Sequence, residues 1–335
     1  MFDGGMIMSF HALNCPPALL CNVNKTRYRT RSSSPEVVPL SLLMAQAVES
    51  GNFPESRKIS GTGAILKKRR WHKPLLNQAN TVGIIGGASV STTIIFLEKL
   101  FLWSTRDVGK CLPFVVCSDP SLNEELISHI SLHSLKTGTS QIILNHTTVV
   151  ENLQRKRAFL EKSGARCLVM PCDILHIWHA EISEGFSLPF LHVGECVARE
   201  LKEAKLKPLE AGSGVRIGVL ATDGILSAGF YQEKLQGQGF EVVLPDKATM
   251  EHILIPAVES MNKRDMEGAQ NLLRIGIQVL LVRAVNVVVL ASDEMRGILP
   301  HDDPLLKKCI DPMDALARST IMWARSIKKV RKRSK

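Results

Sequence analysis

Two residues that could take part in proton transfer occupy equivalent places in an internal repeat. Cys172 follows Val169-Met170-Pro171, and Ser292 follows Val289-Leu290-Ala291 at an offset of 120 residues. A thiol with a pKa of about 8.5 can be tuned to titrate near neutral pH, whereas a serine hydroxyl cannot. Taken alone, a free cysteine is most often a buried core residue. The sequence therefore offers one candidate acid–base group, Cys172, and an unequal counterpart, Ser292.

Short β-branched runs that alternate with amphipathic stretches must position these two residues. The expected strands are Thr81–Ile85, Pro113–Cys117, Cys167–Met170, Pro189–Val193, Val215–Leu220, Glu241–Leu244 and Asn286–Leu290. The expected helices include Val149–Lys162, Cys196–Ala204, Ser227–Gln238, Met250–Met261 and Met266–Val282. This alternation predicts parallel sheets covered by helices. Ligands of such sheets gather at the carboxyl ends of the strands, which is where Cys172 and Ser292 are expected.

A second pair of matching segments extends the repeat. Val82-Gly83-Ile84-Ile85 matches Ile217-Gly218-Val219-Leu220 at an offset of 135 residues. The expected fold is α/β, with two similar flavodoxin- or Rossmann-like parallel-sheet domains related by pseudo-twofold symmetry and a site in the cleft between them. The first half is expected at residues 81–204, completed by a helix at 311–330, and the second at 213–303.

The charge of the chain is concentrated at its ends. Of the formal net charge of +10, residues 1–80 and 325–335 contribute +7 each, while residues 81–324 contribute −4. Residues 1–63 are basic, contain serines and have few acids, which is typical of an organelle transit peptide, although a simple disordered N-terminus is the alternative. The chloroplast stroma is the expected location, with the mitochondrion as second choice. Residues 64–80 are then a linker and residues 331–335 a basic tail, and no nucleic-acid partner is expected.

Several other classes of protein and site are not expected. The longest apolar run, 277–291, is interrupted by Arg283 and Asn286, which is unlike a membrane-spanning helix. The eight cysteines contain no CxxC pair, as in reduced thiols rather than a disulfide framework. His176 and His179 lack a third ligand at a suitable spacing, so no metal is expected. The GxGxxG fingerprint is absent, so a nicotinamide cofactor is not expected either.

Five motifs follow one another in the order typical of a known family. They are Gly83-Ile84-Ile85-Gly86-Gly87, Ser118-Asp119-Pro120, Met170-Pro171-Cys172 with His176, Gly218-Val219-Leu220-Ala221-Thr222, and Ala291-Ser292-Asp293-Glu294. Over about residues 80–327 the chain resembles the aspartate/glutamate racemase superfamily of cofactor-independent amino-acid racemases, especially its plant-type members. The resemblance implies an isomerase that needs no pyridoxal phosphate or other cofactor. It also implies an amino acid as small-molecule ligand, no membrane partner and a homodimer.

In this family two cysteines face each other across the cleft, and one thiolate removes the Cα proton while the opposite thiol returns one. The resemblance assigns Cys172 to the first catalytic position and Ser292 to the second, where relatives have cysteine. The residues that it implies for substrate binding are Gly87, Ser118, Asp173, His176, Thr222, Asp293 and Glu294. The expected reaction is racemisation or epimerisation of aspartate, glutamate or a related amino acid.

The serine at the second position leaves two alternatives open. Single-cysteine relatives catalyse decarboxylation or cis–trans isomerisation on one face of the substrate, which would suit Cys172 opposite Ser292. A catalytically weakened amino-acid-binding or regulatory protein would also keep the fold. In addition, Asp173 and Asp293 stand where relatives have Asn and Thr, and their carboxylates would repel an acidic substrate in a partly desolvated cleft.

Overall fold

Residues 78–87, 89–108, 111–119 and 146–333 are described by the structure, a computed structural model, and all belong to one compact unit, residues 70–335. The predicted transit peptide at 1–63 lies outside the described residues. So do residues 64–77 of the predicted linker, Pro120 of the second motif, and residues 334–335 of the basic tail.

The first half contains a three-stranded parallel sheet with the strand order β2-β1-β3. Its strands are β1 (Val82–Ile85), β2 (Phe114–Cys117) and β3 (Cys167–Val169). Val82 of β1 pairs with Phe114 on one side and with Cys167 on the other. The central strand β1 is buried throughout, whereas the edge strand β2 is partly exposed.

The second half contains a four-stranded parallel sheet with the order β5-β4-β6-β7. Its strands are β4 (Arg216–Leu220), β5 (Glu241–Val243), β6 (Val287–Leu290) and β7 (Cys309–Ile310). In each half the first strand lies between the second and the third. The shared order confirms the predicted α/β fold of two similar parallel-sheet halves, although the two-residue strand β7 was not expected.

Helices surround both sheets, and the last one returns to the first half. The α-helices are α1 (Val90–Val108), α2 (His146–Lys162), α3 (His179–Ser183), α4 (Val193–Glu203), α5 (Asp223–Ala228), α6 (Phe230–Gln236), α7 (Lys247–Thr249), α8 (Ile255–Asn262), α9 (Met266–Val282) and α10 (Pro312–Arg333). Ile174–Trp178 and Pro304–Lys308 are 3₁₀ turns, and Met250–Leu254 is a π-helical segment. α10 packs against α1 and α4. No helix in the described ranges is both long enough and apolar enough to cross a bilayer.

A hydrophobic core continues from one half into the other. One cluster of buried side chains includes Val169 of β3 and Val289 of β6, together with Leu316 and Ile321 of α10. The third strands of the two sheets therefore share packing partners. Removing apolar surface from water, at roughly 25 cal/mol per Å², stabilises their mutual arrangement.

A glycine at the same place in both first strands allows close packing over the sheet. A Cβ atom at Gly83 would lie 2.5 Å from Leu168 Cδ2 and 3.2 Å from Leu160 Cβ. A Cβ atom at Gly218 would lie 2.9 Å from Leu280 Cδ1. Protein interiors are packed as densely as organic crystals, so neither place has room for a side chain. The repeated glycine of the sequence thus serves the same packing in both halves.

The strand expected at Pro189–Val193 is wrong. Only Phe190 pairs there, in an isolated bridge with Leu168. The segment instead leads into α4, because Nδ1 of His192 accepts a hydrogen bond from the backbone N–H of Gly194 and caps the helix. A histidine cap among apolar residues is easily mistaken for part of a strand.

Two expected helices have different limits for local reasons. The segment Ser227–Gln238 is divided at Gly229, whose φ of +72° is left-handed and favours glycine, so that α5 ends there and α6 begins. The helix expected at Met250–Met261 begins earlier, with α7, because the side chain of Asp246 accepts a hydrogen bond from the backbone N–H of Thr249 at 2.8 Å. The pattern of apolar residues contains neither signal.

Candidate active site

Cys172 lies just beyond the carboxyl end of β3, beside a small cavity. Its side chain is buried, with 2% of the residue exposed. The cavity has a volume of about 10 Å³, room for about one water molecule, and is lined by Met170, Pro171, Cys172, Asp173, Val193, Arg296, Met313 and Leu316. These residues come from the end of β3, from α4, from the segment after β6 and from α10. The thiol therefore lines a space to which both halves contribute.

A single guanidinium joins the residues that follow Cys172 and Ser292. Nη2 of Arg296 donates to Oδ2 of Asp173 at 3.2 Å, and Nη1 of Arg296 donates to Oδ1 of Asp293 at 2.5 Å. Asp173 belongs to the segment after β3, and Asp293 to the segment after β6. Because one side chain contacts both carboxylates, the carboxyl ends of the two strands lie opposite each other.

Two of the carboxyl groups on Arg296, those of Asp173 and Asp293, ionise less readily than free aspartates. Burial raises the pKa of Asp173, although Arg296 and the hydroxyl of Tyr231, which donates to Oδ1 of Asp173 at 2.6 Å, act in the opposite direction. Burial and the neighbouring Asp173 raise the pKa of Asp293 to about 7. Burial alone would lower the pKa of Arg296, but the carboxylates of Asp311, Asp173 and Asp293 raise it. Arg296 therefore stays cationic, while Asp173 and Asp293 lose their protons only at a higher pH than free aspartates do.

The network continues to the start of α10 and to α1. Nε of Arg296 donates to Oδ1 of Asp311 at 3.0 Å. Nζ of Lys99 lies 3.0 Å from Oδ2 of Asp311 and 2.9 Å from Oδ2 of Asp314. Nε1 of Trp103 donates to Oδ1 of Asp314 at 2.9 Å. Two cations, Arg296 and Lys99, thus connect four aspartates, which ties the second half to the first helix and the last.

Ser292 occupies the place in the second half that Cys172 occupies in the first. It is completely buried, and its hydroxyl donates a short hydrogen bond to Oε2 of Glu294. Glu294 is exposed. The second strand end therefore presents a hydroxyl paired with a solvent-accessible carboxylate, not a second thiol.

Of the other predicted site residues, one contacts Cys172 and two lie outside the lining of the cavity. A Cβ atom at Gly87 would lie 3.0 Å from Cβ of Cys172, so the glycine backbone lies directly against the thiol residue. Ser118 follows β2 and is exposed, and Thr222 is the partly exposed residue before α5, with no side-chain cap bond. Neither Ser118 nor Thr222 lines the cavity beside Cys172.

His176 lies in a group of three histidines behind the end of β3. Its Nε2 is 2.9 Å from the carbonyl oxygen of Met170, and its ring centroid is 5.7 Å from that of His179 and 4.8 Å from that of His192. Burial lowers the pKa of His176 well below its usual value, and burial lowers the pKa of His192 to about 3. A neutral His176 therefore donates to Met170, two residues before Cys172, and does not line the cavity. Among the residues described, no group of three or more His, Cys, Asp or Glu side chains could hold a metal ion.

Sequence reasoning identified the two aspartates but missed the residues that hold them. Arg296 stands between Met295 and the apolar segment Gly297-Ile298-Leu299, and a lone arginine in an apolar loop four residues after Ser292 was a usable signal. Tyr231 is one of only two tyrosines in the chain. Because a buried tyrosine hydroxyl usually has a hydrogen-bond partner, it was a candidate for contact with a polar strand end.

The strand order and the facing strand ends define a class of protein. It consists of two similar parallel-sheet lobes, with a buried thiol where the third strand of one lobe meets that of the other. A family model described as Asp/Glu/Hydantoin racemase matches residues 85–320. The chain belongs to this family, and the resemblance expected from the five motifs is confirmed.

Individual relatives agree with this membership. The chain is 23% identical over 242 residues to the broad specificity amino-acid racemase RacX of Bacillus subtilis, and the match covers 72% of this chain and 96% of RacX. It is similar to the aspartate racemase of Picrophilus torridus, with a TM-score of 0.53, 22% identity and coverage of 73% of this chain and 94% of that one. An aspartate racemase homologue of Pyrococcus horikoshii OT3 gives a TM-score of 0.58 at 17% identity, with coverage of 73% and 99%. The two solved structures establish the shared fold.

Proposed function

We propose that the chain is a cofactor-independent amino-acid isomerase of the racemase or epimerase type, in which Cys172 removes the Cα proton. The observation that carries this proposal is the buried thiol beside a cavity between facing strand ends, which Arg296 joins through Asp173 and Asp293. Family membership and the racemase activity named for RacX support the reaction class. Aspartate, glutamate or a related amino acid is the proposed substrate.

On the first face of the substrate, the Cys172 thiolate accepts the Cα proton, and the electron pair stays on the substrate as an enolate-like carbanion. Preorganised donors near the developing charge make this step possible. Ser118 and Thr222, which follow β2 and β4, are proposed to bind the α-carboxylate. Gly87 has no Cβ atom, and a Cβ atom there would crowd Cys172 at 3.0 Å from its Cβ.

On the opposite face, Ser292 is proposed to act together with Glu294. A serine hydroxyl is too weak a base to act alone near neutral pH, but its hydrogen bond to a carboxylate provides a path for a proton. When Glu294 is protonated, its proton moves to Ser292 as the hydroxyl proton moves to Cα. In the reverse direction, Glu294 accepts the proton from Ser292 as Ser292 accepts one from Cα.

A second candidate function follows from the same serine. If the pair of Ser292 and Glu294 delivers no proton, Cys172 acts on one face only, as in a decarboxylase or a cis–trans isomerase. If Cys172 does not react either, the remaining alternative is a protein that binds an amino acid without transforming it.

One incubation in D₂O distinguishes these functions. The full chain is given L- and D-aspartate and L- and D-glutamate, and Cα deuteration is followed by NMR while chirality is followed by chiral chromatography. The proposal expects deuterium uptake with inversion, and it expects both to be lost in Cys172→Ala.

Exchange without inversion would indicate one-face chemistry at the thiol. Exchange that persists in Cys172→Ala would refute the assigned base. Absence of exchange with every amino acid tried, including neutral and basic ones, would refute the isomerase proposal. In that case, an increase in melting temperature on addition of an amino acid would indicate a protein that binds amino acids without isomerising them.

A further inference from the structure

The side-chain charge of the substrate can be inferred from the charges around the thiol, and this inference rests on the proposed function. The hydrogen-bonded network beside Cys172 contains four aspartates and two cations. Once the pH is above the raised pKa values of Asp173 and Asp293, all are ionised and two negative charges are in surplus. Glu294, bonded to Ser292, adds a further carboxylate at the opposite strand end. Three of these acids, Asp173, Asp293 and Glu294, directly follow the two residues proposed to transfer protons.

The network also has a side that solvent and ligands can reach. The side chain of Asp173 is 3% exposed, whereas that of Asp293 is 21% exposed and Glu294 is an exposed residue. The negative charge is therefore not sealed inside the core. It extends from the cavity wall at Asp173 to the surface at Glu294.

The contacts of Arg296 show that the aspartates of this network bind a cationic group. Each of its three guanidinium nitrogens donates to a different carboxylate, those of Asp173, Asp293 and Asp311. Charge-assisted hydrogen bonds of this kind are about twice as strong as neutral ones. Because the carboxylates outnumber the cations even with Arg296 in place, a further cation brought by a ligand would be attracted to them.

The α-ammonium and α-carboxylate are common to all amino acids and cannot make the site select one substrate over another. Their charges cancel, so the charge of the side chain is what differs among aspartate, glutamine and lysine. We propose that Asp173, Asp293 and Glu294 make the chain selective for amino acids with a cationic side chain, and that they disfavour aspartate and glutamate. This proposal narrows the related amino acid of the proposed function to the lysine and arginine type.

The decisive experiment compares three side chains of similar length and different charge. The full chain is incubated in D₂O at low ionic strength and about pH 8.5, above the pKa of Asp293 and below that of a lysine ammonium. L-Glutamate, L-glutamine and L-lysine are supplied in equal amounts, and Cα deuteration of each is followed by mass spectrometry. The expected order is lysine, then glutamine, then glutamate. Lysine should exceed glutamate by about tenfold or more, because unit charges a few ångströms apart near a protein surface interact strongly.

Two substitutions in the network and one matched control substitution test which carboxylates cause the preference for lysine over glutamate. Asp293→Asn and Asp173→Asn are each expected to reduce the ratio of lysine to glutamate exchange by about fivefold to tenfold. Asp293→Asn changes a partly exposed residue and so keeps the test usable if the buried variant fails to fold. Asp302→Asn removes the same charge from an exposed residue outside the network and should leave the ratio unchanged. A preference for glutamate in the wild type, or a ratio that neither network variant changes, would overturn the proposal.

Failure of the proposed function can be told apart from failure of this inference. If no amino acid exchanges its Cα proton, the isomerase proposal fails, and titration calorimetry with the same three amino acids then decides the charge preference. Tighter binding of lysine than of glutamate would support the inference on its own. Equal binding, or no binding of any of the three, would overturn it as well.

Discussion

The carboxyl ends of β3 and β6 are alike in backbone and packing but unlike in chemistry. Each follows the third strand of a parallel sheet, and each places a buried small polar residue before an aspartate that is bound to Arg296. At the first end, the Cys172 thiol lines the cavity. At the second, the Ser292 hydroxyl is bonded to Glu294.

This difference shows that a repeated fold does not ensure the same side-chain chemistry at equivalent positions. The matching glycines Gly83 and Gly218 and the matching strand order keep the two halves alike, because both serve packing. A change from thiol to hydroxyl alters the volume of a buried side chain very little. It removes, however, a group that can be ionised near neutral pH.

Paired alanine variants of the two strand ends provide the largest expected effects. Cys172→Ala should reduce Cα exchange from both enantiomers by about a thousandfold, because the acid–base group is removed. Ser292→Ala should reduce it by only about tenfold overall, and unequally for the two enantiomers, because only the second face is affected. The exposed Cys111→Ser is the control and should exchange normally. Equal losses in the two alanine variants would mean that the strand ends are functionally equivalent after all.

The first strand end should depend on Tyr231 for stability, because Tyr231 donates to Asp173 there, whereas Asp293 at the second end is bound by Arg296. Tyr231→Phe removes the hydrogen bond to the buried Oδ1 of Asp173, and a loss of about 2–3 kcal/mol in the free energy of unfolding is expected. Urea denaturation measures the change. In an Asp173→Asn background the same substitution should cost clearly less, because the two groups are coupled. Additive effects would contradict a role for this bond.

The second strand end should govern the pH dependence of stability near neutrality. Burial and Asp173 raise the pKa of Asp293 to about 7, above that of the unfolded chain, so its contribution is present at low pH and is lost as pH rises through 7. From pH 5 to pH 8, Asp293→Asn should therefore gain about 2 kcal/mol relative to the wild type. Denaturant titrations at both pH values measure this, with Asp302→Asn as the control. No relative gain would mean that Asp293 is ionised throughout this range.

The smallest expected effect comes from making the two strand ends chemically equal. Ser292→Cys supplies the second thiol and should raise the rate of inversion by about tenfold, since a thiol replaces a weak acid–base group. Chiral chromatography of the reaction measures inversion against total exchange. If inversion does not increase, the surrounding loops, and not the serine alone, limit the second face.

Parts of the site could be predicted because they depend on local pattern. The equivalence of Cys172 and Ser292 is visible in apolar runs that end in the same way, and strand burial imposes such runs whatever the rest of the chain does. The strand at Pro189–Val193 was mispredicted for the same reason, since an apolar run that is paired at one residue reads like a true strand. Contacts between distant segments leave no such pattern. The bond from Arg296 to Asp173 joins residues 123 positions apart, and no local signal specifies it.

The sequence by itself determined the fold class, the duplication and the presence of a serine, Ser292, at the place equivalent to Cys172. These follow from residue identity and from the spacing of apolar residues, which respond to burial over a few neighbouring positions. Only the tertiary structure decided that one guanidinium would hold the aspartates of both strand ends, that Tyr231 would bind the first of them, and that Ser292 would be paired with Glu294. Hydrogen bonds and charge interactions depend on distances of a few ångströms, and folding brings those atoms together from separate parts of the chain.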